Sequence, residues 1–215
     1  MKYKAIIFDL DGVICHTDHY HYLAWKQLAD KLGVYFDETI NNRLRGVSRM
    51  ESLEIILERW DGKSFTPEDK IRMAEDKNVI YKELLKEMSE KDLSKEVKDT
   101  LEHLRTRGIL LGIGSSSKNA RFILGQIGLG DYFDAISDGN NITRSKPDPE
   151  VFLMAAEYLK VKPEECLVVE DAKAGIDAAK AAGMDSAAIG DAFGYALATY
   201  NLFTFSKLVQ VCSVQ

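Results

Sequence analysis

Short apolar runs that alternate with helical patterns constrain the fold of this 215-residue chain more than any other feature. Each run ends at a turn or at a polar residue, which is typical of a strand covered on both faces of a sheet. Between the runs, apolar residues recur at helical spacing and stop at glycines such as Gly108 and Gly128. Strands that alternate with helices predict a parallel α/β sheet with right-handed crossovers. The predicted strands are Ala5–Phe8, residues 109–113, Phe133–Ile136, Cys166–Val169 and Ser186–Ile189.

Residues 15–90 follow a different pattern. Leucines and isoleucines recur there at helical spacing among many charged residues, and no run resembles a strand. We therefore predict a helical domain of residues 15–90 inserted after the first strand, and a sheet domain made of residues 1–14 and 91–215. Near the C-terminus, Phe193 and Phe203 belong to an aromatic segment that fits no pattern. Two alternatives stay open for it, packing on the core, which we expect, and an interface.

Charge and composition exclude several classes of function. The chain has 28 Lys and Arg against 34 Asp and Glu, so its formal charge is −6. Without a basic stripe, we predict neither nucleic-acid binding nor membrane binding, and no apolar run approaches the ~20 residues that cross a bilayer. The three cysteines, Cys15, Cys166 and Cys212, lack metal-ligand or redox spacing. We expect reduced thiols, a cytoplasmic location and a monomer.

Polar residues follow three of the predicted strands. Asp9 and Asp11 follow the first strand, Ser115 follows the second, and Glu170 and Asp171 follow the run that begins at Cys166. The carboxyl ends of parallel strands form the edge of a sheet where ligands bind. We therefore expect these side chains to lie close together.

Four carboxylates at one edge repel each other unless a hard cation lies among them. Mg²⁺ takes oxygen ligands and often joins one or two carboxylates to a substrate phosphate. We predict one Mg²⁺ per chain, with Asp9, Asp11, Glu170 and Asp171 as its metal ligands. Beside it, Asp9 would act as a nucleophile that forms an aspartyl-phosphate, Asp11 as a general acid and base, and Lys146 as a charge partner of the phosphate.

None of these features is specific by itself. An isolated Asp-x-Asp is usually a solvated turn, and an isolated Lys-Pro such as Lys146-Pro147 is usually part of a loop. Their joint occurrence, in this order and at strand ends, is far more specific.

Together the motifs resemble the four sequence motifs of the haloacid dehalogenase superfamily, over nearly the whole chain. The resemblance implies an α/β fold with a Rossmann-like parallel-sheet core, an inserted helical cap domain, and Mg²⁺-dependent phosphoryl transfer through Asp9. The motifs are Asp9-Leu10-Asp11-Gly12, Ser115 after an apolar strand, Lys146-Pro147, and Glu170-Asp171 with Gly175.

A second set of residues is similar to one subgroup of that superfamily, the β-phosphoglucomutases. In that subgroup the residues matching Arg49 and Lys77 lie at the sugar phosphate, and the one matching His21 supports the acid/base aspartate. The catalytic residues that the resemblance implies are Asp9, Asp11, Thr17, His21, Ser115 and Lys146. The substrate-binding residues that it implies are Trp25, Gly46, Val47, Arg49, Ser52, Lys77, Ser116, Ser117, Lys118 and Asn119.

The implied reaction interconverts β-D-glucose 1-phosphate and D-glucose 6-phosphate, with glucose 1,6-bisphosphate as intermediate and activator. A bisphosphate needs a second cationic group away from the core site, and Arg49 offers a bidentate fork for it. Two alternatives stay open, a sugar-phosphate phosphatase with the same nucleophile and a non-catalytic module that binds a sugar phosphate. The complete set of Asp9, Asp11, Lys146 and Asp171 favours an enzyme.

Overall fold

A computed structural model describes residues 2–44 and 47–213. In this part of the chain, six parallel strands form one sheet in the order β3-β2-β1-β4-β5-β6. The predicted parallel α/β fold is confirmed, with strand ends shifted by up to two residues. The strands are β1 (Ala5–Phe8), β2 (Leu110–Gly114), β3 (Ala135–Ser137), β4 (Cys166–Glu170), β5 (Asp185–Ala188) and β6 (Tyr200–Asn201).

The apolar runs form central strands because helices cover both faces of the sheet. Ile7 of β1 lies between Gly112 and Val168 in the parallel register. Ile7 and Val168 are completely buried and pack in one cluster with Phe152 and Ala179. Fully burying an aliphatic side chain of this size stabilises a fold by about 1.5–3 kcal/mol.

The α-helices in the described part of the chain are α1 (Asp18–Leu32), α2 (Glu38–Asn42), α3 (Arg49–Leu57), α4 (Pro67–Leu85), α5 (Lys95–Thr106), α6 (Ala120–Gln126), α7 (Glu150–Leu159), α8 (Lys173–Ala181) and α9 (Leu208–Val211).

The chain divides into two compact units. One comprises Met1–His16 with Met88–Gln215 and contains the sheet, and the other comprises Thr17–Glu87 and contains α1–α4. We call them the core unit and the helical unit. That the helical unit works as a cap domain stays a prediction.

The helical unit has its own apolar core, and its third helix begins at a capping box. Trp25, Leu28 and Leu53 are buried in one cluster. At the start of α3, the Ser48 hydroxyl accepts a hydrogen bond from the Glu51 N–H at 3.3 Å, and the Ser48 N–H donates to the Glu51 carboxylate at 2.9 Å. Such reciprocal bonds satisfy two backbone donors that a helix start leaves unpaired.

The C-terminal segment contains an element that the sequence did not predict. The two residues of β6 pair with β5, but they are too few to form an apolar run. The expectation that the aromatic residues pack on the core is wrong for Phe203, which is 83% exposed and contacts Phe193 at 4.5 Å between ring centroids. Phe205 is buried instead and stacks on Phe8.

Two further features of the structure are the state of the cysteines and the character of the helices. Cys15, Cys166 and Cys212 are free thiols and are buried. Among the helices that the structure describes, none has the length and apolar character needed to span a membrane.

Candidate active site

Three adjacent strands of the core unit end at one cluster of polar side chains. Asp9 follows β1, Ser115 follows β2, and Glu170 is the last residue of β4. Because the sheet order places β2, β1 and β4 side by side, their carboxyl ends share one edge. The order of the strands therefore produces the predicted convergence of these residues.

Lys146 joins the carboxylates of two different strands. Its Nζ lies 2.5 Å from Asp9 Oδ1 and 2.5 Å from Glu170 Oε1, and its side chain is only 10% exposed. The ammonium also lies 4.7 Å from the centre of the Phe152 ring. Burial disfavours the charged form, but the two carboxylates outweigh that effect, so the pKa of Lys146 is raised above its ordinary value.

Gly175 provides the space that the Glu170 carboxyl group occupies. Glu170 is 1% exposed, and its Oε2 accepts a hydrogen bond from the Ala172 N–H at 2.9 Å. A Cβ atom at Gly175 would lie 1.9 Å from the carboxyl carbon of Glu170. Any side chain at this position would therefore displace Glu170 and its ion pair with Lys146.

Gly12 has the corresponding relation to Asp171. Gly12 adopts φ +79°, and a Cβ there would lie 2.0 Å from Asp171 Oδ2. Burial, followed by the negative charges of Asp9 and Glu170, raises the pKa of Asp171 to about 8. For Asp171, the effects of burial and of these two carboxylates outweigh the positive charge of Lys146, which acts in the opposite direction.

These residues fit a magnesium ion by charge and by donor type. Within residues 2–44 and 47–213, no three His, Cys, Asp or Glu side chains are already gathered as a metal site. Mg²⁺ is usually bound by one or two carboxylates together with water and substrate phosphate. The carboxylates supply oxygen donors, and a cation would stabilise the negative charges of Asp9 and Glu170, which add to the effect of burial on the pKa of Asp171. The assignment of Asp9, Asp11, Glu170 and Asp171 as ligands stays a prediction.

The serine-rich turn after β2 is built from two successive hydroxyl turns. Ser115 Oγ accepts from the Ser117 N–H at 3.2 Å, and Ser117 Oγ accepts from the Asn119 N–H at 3.2 Å. The hydroxyl of Ser116 is buried and has no hydrogen-bond partner among the described residues. Lys118 is exposed and Asn119 is buried. A ligand oxygen would satisfy the Ser116 hydroxyl.

The helical unit brings a second group of predicted residues together around Lys77. Lys77 is 2% exposed, and its Nζ lies 4.7 Å from the Trp25 ring and 4.5 Å from the Tyr81 ring. It also lies 2.8 Å from His21 Nδ1, while the His21 ring stacks on Tyr81 at 4.0 Å between centroids.

The hydrogen bonding of Lys77 assigns the protonation state of His21. Burial, then the positive charges of Lys77 and Arg49, hold the pKa of His21 well below its ordinary value. Since an ammonium only donates, Nδ1 of the neutral imidazole is the acceptor and Nε2 carries the proton.

The other predicted residues of the helical unit lie on or beside its helices. Arg49 is the first residue of α3 and donates from Nη2 to Asn78 Oδ1 at 3.1 Å. Thr17 precedes α1, Ser52 is buried in α3, and Val47 is 39% exposed. Gly46 lies outside the described residues.

Sequence reasoning missed two aromatic neighbours of the predicted lysines. Tyr81 lies four residues after Lys77 on α4, so helical spacing already placed both on one face. Phe152 lies six residues after Lys146, in α7, and no motif of the sequence pointed to its contact with the ammonium.

Several known proteins are similar to this chain. The haloacid dehalogenase-like hydrolase family model matches residues 3–183. β-Phosphoglucomutase from Bacillus subtilis (strain 168) is 43% identical over 188 residues, which cover 87% of this chain and 83% of that protein. A phosphorylated carbohydrates phosphatase from Thermotoga maritima is 34% identical over 184 residues, which cover 85% and 82%.

Solved structures show the same similarity. The crystal structure of β-phosphoglucomutase from Clostridium difficile superposes with a TM-score of 0.87 and 42% identity, covering 96% of this chain and 93% of that chain. The family model, the sequence alignments and the structural superposition each cover most of the chain. This chain therefore belongs to the haloacid dehalogenase-like hydrolase family.

Proposed function

We propose that this protein is a Mg²⁺-dependent β-phosphoglucomutase. It interconverts β-D-glucose 1-phosphate and D-glucose 6-phosphate through an aspartyl-phosphate and glucose 1,6-bisphosphate. The observation that carries the proposal is the contact of Asp9 with Lys146 at the carboxyl edge of the sheet, beside buried Glu170. The identity with two β-phosphoglucomutases supports the choice of substrate.

Asp9 is the nucleophile in this proposal. Its carboxylate oxygen attacks the phosphorus atom of the bisphosphate, and the bond from phosphorus to the sugar oxygen breaks. Lys146 neutralises part of the charge that gathers on the phosphoryl oxygens. The Asp9, Asp11, Glu170 and Asp171 carboxylates would hold Mg²⁺, which stabilises the negative charge of the phosphoryl group when it is bound.

Asp11 moves the proton in both directions. It donates a proton to the sugar oxygen as that oxygen leaves. In the other half of the reaction it accepts the proton of the C6 hydroxyl of β-D-glucose 1-phosphate, which attacks the aspartyl-phosphate, so that the bisphosphate and the free Asp9 carboxylate form again. Such acid–base catalysis contributes typically about 10²–10⁴-fold. The support of Asp11 by His21 stays a prediction; a neutral His21 whose Nδ1 accepts from Lys77 carries its proton on Nε2 and can act as a donor.

The serine turn and the helical unit supply groups that bind the substrate. Ser115 and the hydroxyl of Ser116 are proposed donors to phosphate oxygens. Arg49 is proposed to hold the phosphate that is not reacting, because its guanidinium makes two parallel hydrogen bonds to an anion. Trp25 and Lys77 are proposed to bind the sugar phosphate.

A sugar-phosphate phosphatase is the second candidate function. The phosphorylated carbohydrates phosphatase from Thermotoga maritima is 34% identical over most of the chain, so the core chemistry alone does not discriminate. Both enzymes need the same nucleophile, but water accepts the phosphoryl group in a phosphatase. The fate of the phosphoryl group is therefore the decisive measurement.

Product analysis tests the proposed function directly. Purified protein is incubated with Mg²⁺, β-D-glucose 1-phosphate and a trace of glucose 1,6-bisphosphate, and the products are resolved by ³¹P NMR. We expect glucose 6-phosphate as the main product, and no conversion when the metal is chelated. If free phosphate and glucose dominate instead, the protein is a phosphatase and the proposal is wrong.

Asp171→Ala should raise the Mg²⁺ concentration required for half-maximal activity by tenfold or more, which corresponds to about 1.4 kcal/mol or above. The reason is that Asp171 is a proposed oxygen ligand of Mg²⁺. The measurement is a Mg²⁺ titration of the initial rate. The matched control is Asp131→Ala, which removes an exposed carboxylate. An unchanged Mg²⁺ dependence of Asp171→Ala would place the metal elsewhere.

A further inference from the structure

The loop between β3 and α7 lies directly against the serine turn of the core unit. Three hydrogen bonds join the serine turn to this loop and to Ser137, the last residue of β3. The Ser115 N–H donates to the Ser137 carbonyl at 3.0 Å, the Gly139 N–H donates to the Ser117 carbonyl at 3.2 Å, and Asn140 Nδ2 donates to the Lys118 carbonyl at 2.9 Å. The turn is thus held along its length from one side.

Gly139 permits this close approach. A Cβ atom at Gly139 would lie 2.4 Å from the Ser116 carbonyl oxygen and 2.9 Å from the Lys118 nitrogen. Both of these atoms belong to the backbone, so a side chain would push the two segments apart. The two backbones are in contact here without an intervening side chain.

Asp138 orients the Asn140 amide toward the turn. Asp138 is 2% exposed, and its Oδ1 accepts from the Asn140 N–H at 2.9 Å and from Asn140 Nδ2 at 3.1 Å. The two hydrogens of Nδ2 therefore have two acceptors, the Asp138 carboxylate and the Lys118 carbonyl. Because the carboxylate and the carbonyl oxygen can only accept hydrogen bonds, the amide must turn its nitrogen, and not its oxygen, toward both of them.

Holding the carbonyl groups also determines the direction of the donors in the turn. Each peptide unit is planar, so fixing the carbonyl oxygens of Ser117 and Lys118 also fixes the N–H group of Lys118 and that of Asn119, which donates to Ser117 Oγ within the turn. Donors that already have their working direction lose little freedom when they bind an anion.

We propose that Asn140 is a positioning residue, which acts through the turn of residues 115–119 and holds it in the conformation that binds phosphate. The inference rests on the proposed function because it takes this turn as a phosphate-binding element. Asn140 itself is exposed, so its substitution removes the bond to Lys118 without opening a cavity in the apolar core.

The test compares Asn140→Ala with Asn141→Ala. Asn141 is the neighbouring amide of the same loop, and its hydrogen bonds go to Asp138, Ser137, Met154 and Tyr158. Two quantities are measured, the dissociation constant of inorganic phosphate from ¹⁵N amide shifts of residues 115–119, and KM with kcat for β-D-glucose 1-phosphate. Thermal unfolding reports the stability of each variant.

We expect Asn140→Ala to raise both the dissociation constant and KM by about 2- to 13-fold, since a lost hydrogen bond of this kind is worth about that factor. Asn141→Ala should change both by less than twofold, even where it lowers the unfolding temperature more. Asn140→Ser, which keeps a shorter donor, should fall between the wild type and Asn140→Ala.

Three results would overturn the inference. They are unchanged phosphate affinity in Asn140→Ala, equal changes in both variants, and wild-type amides of residues 115–119 that do not respond to phosphate. The phosphate titration needs no sugar turnover. A wild type that binds phosphate in an Asn140-dependent way but forms no glucose 6-phosphate would refute the proposed function and leave this inference standing.

Discussion

Asp9→Asn should abolish both turnover and the transfer of a phosphoryl group onto the protein. The amide oxygen of asparagine is a poor nucleophile, so no acyl phosphate forms. The substitution also removes the ion pair with Lys146, whose ammonium is then left with Glu170. We expect the rate of glucose 6-phosphate formation to fall below detection, and mass spectrometry to find no protein-bound phosphoryl group after incubation with a phosphoryl donor.

A matched substitution separates this effect from a general loss of charge. Asp185→Asn makes the same chemical change at the first residue of β5, where Asp185 pairs with Lys2. Asp185 lies at the amino end of its strand, at the opposite edge of the sheet from Asp9. The variant should therefore fold and keep its activity. A phosphoryl group found on a residue other than Asp9 in the active protein would refute the assignment.

Arg49→Ala should lower mutase activity by a factor of about 30 to 1,000. Losing one partner of a desolvated charge pair costs roughly 2–4 kcal/mol, and that loss in transition-state binding gives this range of rates. Burial lowers the pKa of Arg49, yet a guanidinium stays charged in proteins, so the half-buried side chain still presents a cation to an anion. Hydrolysis of a small aryl phosphate should change much less, because that substrate has no second phosphate.

The control for this prediction is Arg43→Ala in the same helical unit. Arg43 makes a bidentate pair with Glu58, with both distances 2.7 Å, and both side chains are about half exposed. Exposed pairs of this kind contribute little to stability, so both activities should survive. An equal loss of mutase and aryl-phosphate activity in Arg49→Ala would show that Arg49 supports the fold or the core site instead of the second phosphate.

Local sequence patterns determined the fold class and much of the polar cluster at the carboxyl edge of the sheet. The apolar run Ala5–Phe8 that ends at Asp9 is both a strand signal and a site signal, because parallel strands present their carboxyl ends to ligands. The same holds for the run that ends at Glu170. The helical spacing in residues 15–90 similarly indicated an insertion without strands, and Lys77 and Tyr81 share a helix face by spacing alone.

Only the tertiary structure decided which of these groups touch. Lys146 contacts Asp9 and Glu170, which lie 137 and 24 residues away in the chain, because strand order and the loop before α7 bring them together. The raised pKa of Asp171, the neutral imidazole of His21 and the amide of Asn140 against Lys118 have the same origin. Periodicity reports which face of an element is buried, and composition reports which chemistry is available. Contacts between distant segments depend on how the elements pack, and local sequence does not contain that information.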